Sequence, residues 1–156
     1  MMEQAIRAVP GFLFFDHVAI SVKPGELDAH VAAYRTLGFS EVHREDVLGT
    51  DQVREVLLQV GDGPNLVQLI EPLSPESPVA RQIEKNGGRG GLAHVALRVA
   101  DIHSAFDYMQ AHGFKMIDKA PRRGSRGTTV FFVHPKTTEA AAFGYILEVV
   151  QEAAHA

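Results

Sequence analysis

Two histidines occupy equivalent points of two similar stretches of the sequence. In Asp16-His17-Val18-Ala19-Ile20 and in Ala93-His94-Val95-Ala96-Leu97, an alanine follows the histidine two positions later, and apolar residues flank that alanine. This alternation predicts two β-strands in which the histidine and the alanine share one face. Imidazole nitrogens are common ligands of divalent transition metals. Two strands of the same design therefore suggest two copies of one module, with a site built from both.

Two further polar side chains interrupt apolar stretches at a second pair of equivalent positions. Gln68 lies within residues 66–70, and Glu148 lies within residues 146–150. Taken alone, each of the four residues also fits an exposed or purely structural place. Together, two imidazoles, one amide oxygen and one carboxylate suit a divalent first-row metal, with positions left open for a substrate. We therefore predict a metal site formed by His17, Gln68, His94 and Glu148.

One more acidic residue lies in a stretch with strand periodicity. Within residues 53–60, the alternation places Glu55, Leu57 and Gln59 on one face. Two interpretations are open. Glu55 is either an exposed residue paired with Arg54 or Arg44, or a carboxylate that faces the site and transfers protons as a base.

Both halves of the sequence share one predicted order of elements, β-α-β-β-β, which is the strongest indication of the fold. Gly38-Phe39 follows a predicted helix at 26–37 and recurs as Gly113-Phe114 after a predicted helix at 102–112, which Asp101 caps. In the second half, residues 115–117 are predicted as a short strand, and residues 121–127 as a loop.

The predicted fold class is α+β, with two pseudo-symmetric βαβββ modules that form an open curled sheet around a metal cleft. We expect a single domain over residues 1–156. Module one spans 12–73, a linker rich in proline and glycine spans 74–90, and module two spans 91–151.

The composition excludes several other classes of protein. The chain has 156 residues, 46% of them hydrophobic, a formal net charge of −4 and no cysteine. It therefore has no overall basic charge to attract nucleic acid, and it can form neither a disulfide nor a thiolate metal site. We find no signal peptide and no run of about 18 apolar residues that would span a membrane. The expected location is the cytoplasm, without membrane association.

These residues resemble those of the vicinal oxygen chelate superfamily, the glyoxalase/bleomycin resistance/dioxygenase proteins, and within it the methylmalonyl-CoA epimerase family. The resemblance extends over residues 14–151. The motifs that carry it are Asp16-His17-Val18-Ala19-Ile20, Val53-Arg54-Glu55, Leu66-Val67-Gln68-Leu69-Ile70-Glu71-Pro72, Gly91-Leu92-Ala93-His94-Val95-Ala96, Pro121-Arg122-Arg123-Gly124-Ser125-Arg126-Gly127, His134-Pro135-Lys136 and Leu147-Glu148-Val149-Val150.

The resemblance implies an isomerase that interconverts (R)- and (S)-methylmalonyl-CoA, or a close 2-substituted malonyl-CoA, by α-proton abstraction through a metal-stabilised enolate. It implies that His17, Gln68, His94 and Glu148 hold one divalent ion. Co²⁺ is the first choice, and Zn²⁺, Mn²⁺, Ni²⁺ and Mg²⁺ are alternatives. Glu55 is implied as a catalytic acid/base, and Glu148 is considered for the second proton transfer. The implied partner is an acyl-CoA thioester, and the implied assembly is a homodimer.

Basic side chains cluster around residues 121–136 and offer a place for the phosphates of CoA. These lysines and arginines form either a phosphate-attracting rim or an ordinary solvated loop. Ser125 and the backbone N–H groups around Gly124 and Gly127 are an alternative contact, with the thioester end of the substrate. The predicted substrate-binding residues are Arg122, Arg123, Ser125 and Lys136.

Three related functions remain as alternatives. A glyoxalase I-type isomerase typically has a glutamate where this chain has Gln68. A metal-dependent dioxygenase would need open positions for oxygen that a fourth protein ligand would crowd. A metal-free binding protein of the same superfamily would have lost ligands that this chain keeps.

The stretch 137–143 is longer than the family pattern and would lie at the mouth of the pocket.

Overall fold

The computed structural model describes residues 9–153 of the chain. By their contacts, the described residues group into two compact units, which are His17–His94 and residues 9–16 with residues 95–153. None of the helices among residues 9–153 has the length and apolar content needed to cross a membrane.

The unit His17–His94 is a four-stranded sheet with two helices. Its strands lie in the order β2-β3-β4-β1. Strand β1 runs parallel to β4, whereas β2–β3 and β3–β4 are antiparallel. The elements are β1 (Phe12–Ser21), α1 (Leu27–Thr36), β2 (Phe39–Val47), β3 (Val53–Val60), β4 (Leu66–Pro72), α2 (Pro78–Lys85) and the start of β5 (Gly91–Val99).

Strand alternation divides the apolar residues of this sheet between its two faces. On one face, Leu27 and Val31 of α1 pack against buried strand residues such as Leu58. A second, smaller cluster comprises Ala19, Val53, Ile70 and Ala93. Because alternate strand residues point to opposite faces, the residues of β1, β3 and β4 that share this second face include His17, Glu55 and Gln68.

A β-bulge changes the orientation of the edge strand β2 halfway along its length. The pairing with β3 shifts between Glu41 and His43, so Val42 is the extra residue. A bulge of one residue inverts the alternation that follows it. Phe39 therefore packs with the α1 cluster, whereas Val47 packs with the second cluster.

The other unit repeats the design. Its four strands lie in the order β5-β8-β7-β6, and helix α3 packs on them through Ala105, Phe106 and Met109. Asp101 caps α3, as predicted, because its carboxylate accepts hydrogen bonds from the backbone N–H groups of His103 and Ser104. The elements are the rest of β5, α3 (Ile102–Ala111), β6 (Arg122–Arg123), a 3₁₀ turn (Ser125–Gly127), β7 (Thr129–Val133) and β8 (Ile146–Gln151).

The predicted α+β class and the β-α-β-β-β order of both halves are confirmed. The predicted strand at 115–117 is wrong, since only Met116 forms a bridge, to Val133. The strand lies further along, at Arg122–Arg123, within the segment that was predicted as a loop. The backbone N–H of Lys115 is instead bonded to the carbonyl of Thr137, which lies beyond the end of β7.

Candidate metal and acid–base site

The two predicted histidines lie side by side. Nε2 of His17 is 3.2 Å from Nε2 of His94, although 77 residues separate them in the sequence. Their rings meet nearly edge to face, with centroids 5.3 Å apart. His17 is only 4% exposed. Two ring nitrogens at this separation can both be ligands of one ion, because metal–imidazole bonds are about 2.0–2.1 Å long.

Gln68 joins this pair on the same face of the sheet. In the parallel pairing of β1 with β4, Ala19 lies opposite Gln68 and His17 lies opposite Leu66. Gln68 is 7% exposed, and its Nε2 donates a hydrogen bond of 3.2 Å to Oε1 of Glu55. Its own Oε1 is buried and accepts no hydrogen bond from residues 9–153.

That arrangement fits a cation. A buried amide oxygen without a donor costs free energy, about 1–3 kcal/mol, unless something positive binds to it. The amide oxygen and two imidazole nitrogens form a mixed donor set that suits divalent first-row ions. Three of the four predicted ligands, His17, Gln68 and His94, therefore lie in this unit and have a donor chemistry that suits such an ion.

Glu55 is a buried carboxylate, 2% exposed, opposite Ile70 in the sheet. The interpretation of Glu55 as an exposed residue paired with Arg54 or Arg44 is therefore wrong. Arg54 binds Asp46 at 2.7 Å, and Arg44 binds Glu41 at 3.0 Å. These bonds also act on the carboxylates. The hydrogen bond from Arg44 holds the pKa of Glu41 below its ordinary value, and the bond from Arg54 does the same to the pKa of Asp46.

Two residues near Glu55 were not predicted from the sequence. Glu45 lies directly opposite Glu55 in the sheet, and His43 lies opposite Leu57. One ligand atom from each of His43, Glu45 and Glu55 lies within 4.8 Å of the other two, and His43 Nε2 is 2.7 Å from Glu45 Oε1. The bulge at Val42 turns both residues to this face. The only signal in the sequence was the alternation of His43, Glu45 and Val47.

Glu148 lies in the other unit, on β8 opposite Phe132. It is buried, so the alternative of a solvated glutamate near the C-terminus is wrong. Its neighbour on the same face of β8 is Val150, which packs with Ala96 and Val130. The carboxylate is thus on the face of its sheet opposite to α3.

The predicted substrate-binding residues differ in how firmly they are held. Arg122 is bound by Asp118 at 2.9 Å, and its guanidinium lies 5.2 Å from the centre of the Phe132 ring. Ser125 begins the 3₁₀ turn, and its carbonyl accepts hydrogen bonds from the backbone N–H and the hydroxyl of Thr128. In contrast, Arg123 and Lys136 are exposed.

The chain belongs to the Glyoxalase/Bleomycin resistance protein/Dioxygenase superfamily, whose family model matches residues 16–132. Two relatives with known names are epimerases of this superfamily. An ethylmalonyl-CoA/methylmalonyl-CoA epimerase of Cereibacter sphaeroides is 33% identical over 123 residues, which cover 78% of this chain and 87% of that protein. The mitochondrial methylmalonyl-CoA epimerase of Dictyostelium discoideum is 34% identical over 102 residues, but the match spans only 60% of each protein.

Solved structures agree with this relationship. The crystal structure of methylmalonyl-CoA epimerase from Mycobacterium tuberculosis superposes with a TM-score of 0.82 at 30% identity, covering 94% of this chain and 93% of that one. A methylmalonyl-CoA epimerase in complex with methylmalonyl-CoA and NH₄⁺ gives a TM-score of 0.79 at 34% identity, covering 92% and 96%. The predicted resemblance to the methylmalonyl-CoA epimerases is confirmed.

Proposed function

We propose that this chain is a metal-dependent epimerase of methylmalonyl-CoA, or of a close 2-substituted malonyl-CoA. One observation carries the proposal. The buried carboxylate of Glu55 is hydrogen-bonded to Gln68, whose amide oxygen shares a sheet face with the His17–His94 pair. An acid/base group thus lies next to a donor set suited to a cation. The names of the relatives indicate the substrate class.

The reaction inverts the carbon between a carboxylate and a thioester carbonyl. Glu55 accepts the proton of that carbon, and the electron pair of the broken C–H bond moves toward the thioester oxygen. A divalent ion held by His17, Gln68, His94 and Glu148 would act as a Lewis acid that stabilises the negative charge on that oxygen.

The remaining residues complete the cycle. A second acid returns a proton to the opposite face of the carbon, and Glu148 is our candidate for it. Gln68 orients Glu55 through the hydrogen bond from its amide group. No electrons are gained or lost, so the proton transfers alone balance the reaction.

The proposal includes several finer assignments. Arg122, Arg123, Ser125 and Lys136 bind the CoA thioester. Co²⁺ is the first choice of metal, the assembly is a homodimer, and the protein acts in the cytoplasm. The chain functions as one domain, with modules at 12–73 and 91–151.

Proton NMR in deuterated water tests the proposal. Purified protein is loaded with Co²⁺ and mixed with methylmalonyl-CoA. We expect the α-proton signal to disappear, and a chelator to stop the loss. The same assay with a glyoxalase substrate, the hemithioacetal of methylglyoxal and glutathione, should show no conversion. Conversion of the hemithioacetal without loss of the α-proton signal of methylmalonyl-CoA would favour the glyoxalase I-type alternative. If neither substrate reacts, the proposal is overturned.

A further inference from the structure

Leu57 is a large apolar side chain in an unusual setting. It is only 1% exposed, yet it belongs to none of the four apolar clusters formed by residues 9–153. Its neighbour in the sequence, Leu58, is equally buried and packs in the α1 cluster. The two leucines point to opposite faces of β3, so they differ in surroundings rather than in depth.

The neighbours of Leu57 on its own face are polar. Across the sheet it lies opposite His43 on one side and Gln68 on the other. Opposed residues of antiparallel strands have Cβ atoms about 4.5–5.5 Å apart. Glu55 lies two residues before Leu57 on β3, on the same face. Leu57 is therefore surrounded by the candidate acid/base, the candidate amide ligand and the His43–Glu45 pair.

Other buried apolar residues of this face pack against one another. Val53, Ile70 and Ala19 form one cluster with Ala93. Leu57 is as buried as Glu55 and Gln68, so it belongs to the same water-excluded surface as those residues. Ile70, which lies opposite Glu55, packs in that cluster, whereas Leu57 is a large apolar side chain beside the acid/base that belongs to no cluster of the described residues.

We infer that Leu57 is a specificity-determining residue, which contacts the alkyl group on the reacting carbon of the substrate. The inference rests on the proposed function. A carbon whose proton is taken by Glu55 must lie within reach of that carboxylate, and its alkyl substituent needs an apolar wall. The size of the side chain at position 57 then sets the largest substituent that the site accepts.

The test compares two substrates that differ by one methylene, methylmalonyl-CoA and ethylmalonyl-CoA, in the metal-loaded protein. Leu57→Ala shortens the side chain of that wall and so enlarges the space for the alkyl group. One methylene in an apolar pocket changes kcat/KM by about tenfold or more. We expect the ratio of kcat/KM for the ethyl substrate to that for the methyl substrate to rise at least tenfold.

Leu58→Ala is the matched control, since it removes the same atoms at the same depth from the opposite face. It should lower stability and leave the substrate ratio unchanged. If Leu57→Ala does not fold, Leu57→Val makes a smaller change in the same direction, and the ratio should rise by a smaller factor.

The outcomes separate the inference from the proposed function. If the unaltered protein exchanges neither substrate, the proposed function fails. If the unaltered protein exchanges the α-proton of methylmalonyl-CoA, but folded Leu57 variants have the same ratio of kcat/KM values for the two substrates, only the specificity role is overturned. An equal shift of the ratio in Leu58→Ala would also overturn it, because the effect would then reflect loosening of the core.

Discussion

Asp16 and Arg98 form an ion pair in which Nη2 of the arginine lies 2.6 Å from Oδ1 of the aspartate. Asp16 is fully buried, and it immediately precedes His17. The guanidinium of Arg98 also stacks on the ring of Phe14, at 5.2 Å from its centre. A strong, oriented contact thus fixes the backbone next to the first candidate metal ligand.

Removing one partner of this pair should destabilise the protein. Arg98→Met leaves the Asp16 carboxylate buried without its nearest cation, which costs about 3–5 kcal/mol for a buried pair. Urea unfolding measures the loss. Arg54→Met removes an arginine from an exposed pair and should change the unfolding midpoint little. Equal small effects in both variants would contradict the importance of the Asp16–Arg98 pair.

Glu55→Gln separates metal binding from proton transfer. The amide is nearly isosteric with the carboxylate but cannot accept the α-proton, so we expect exchange with deuterated water to fall by about 10²–10⁴-fold. The metal content should stay the same. Glu41→Gln changes a carboxylate on the opposite face of the sheet and should leave exchange intact. Normal exchange in Glu55→Gln would remove Glu55 from the mechanism.

His94→Ala should lose the metal. The nitrogen that lies 3.2 Å from His17 Nε2 is gone, and the remaining donors lack one imidazole. Loss of an outer partner of a ligand typically costs about 10–100-fold in metal affinity, so loss of the ligand itself should cost more. Elemental analysis after gel filtration measures the retained ion. His103→Ala, at an exposed position, should keep it, and a stoichiometric ion in His94→Ala would count against the site.

Asp101 should make the stability of the second unit depend on pH in the acid range. Hydrogen bonds to its carboxylate, first from the Ser104 hydroxyl and then from the Ser104 backbone N–H, hold the pKa of Asp101 below its ordinary value of 3.8. The cap therefore contributes fully above about pH 4, and the contribution is lost as the pH falls through the lowered pKa of the folded state.

Asp101→Asn keeps a capping oxygen but cannot titrate. The difference in unfolding midpoint between this variant and the unaltered protein should shrink as the pH falls from 7 to 3. Ser104→Ala removes the largest cause of the shift and should reduce the effect. A difference that stays constant with pH would show that the Asp101 charge does not contribute to the cap.

The repeat in the sequence predicted the parts of the fold that depend on short-range patterns. Strand β3 lies at Val53–Val60 as expected, and both Gly38 and Gly113 adopt the left-handed conformation that ends a helix. The repeat also predicted a long-range relationship. His17 and His94 are neighbours because each lies at the same point of its own module.

The features that the sequence could not predict depend on the register in which the strands pair. The contribution of His43 and Glu45 to the surroundings of Glu55 follows from the bulge and the pairing of β2 with β3. No local pattern distinguishes a regular strand from one with an extra residue. The prediction of a strand at 115–117 was wrong for a similar reason, because the backbone partners of that segment include Thr137, beyond the end of β7.

The bulge at Val42 has a consequence for how this protein can vary. The bulge takes one residue out of the ladder, so the pairing of His43 to Val47 with β3 does not depend on which residue lies at position 42. Replacing Val42, which is half exposed, should be tolerated. Deleting it would leave His43 opposite Leu57 and Glu45 opposite Glu55, because the ladder would then be regular on both sides of the deletion. The edge strand can therefore lose this one residue, but it cannot pair all of its residues regularly without turning His43 and Glu45 to the other face.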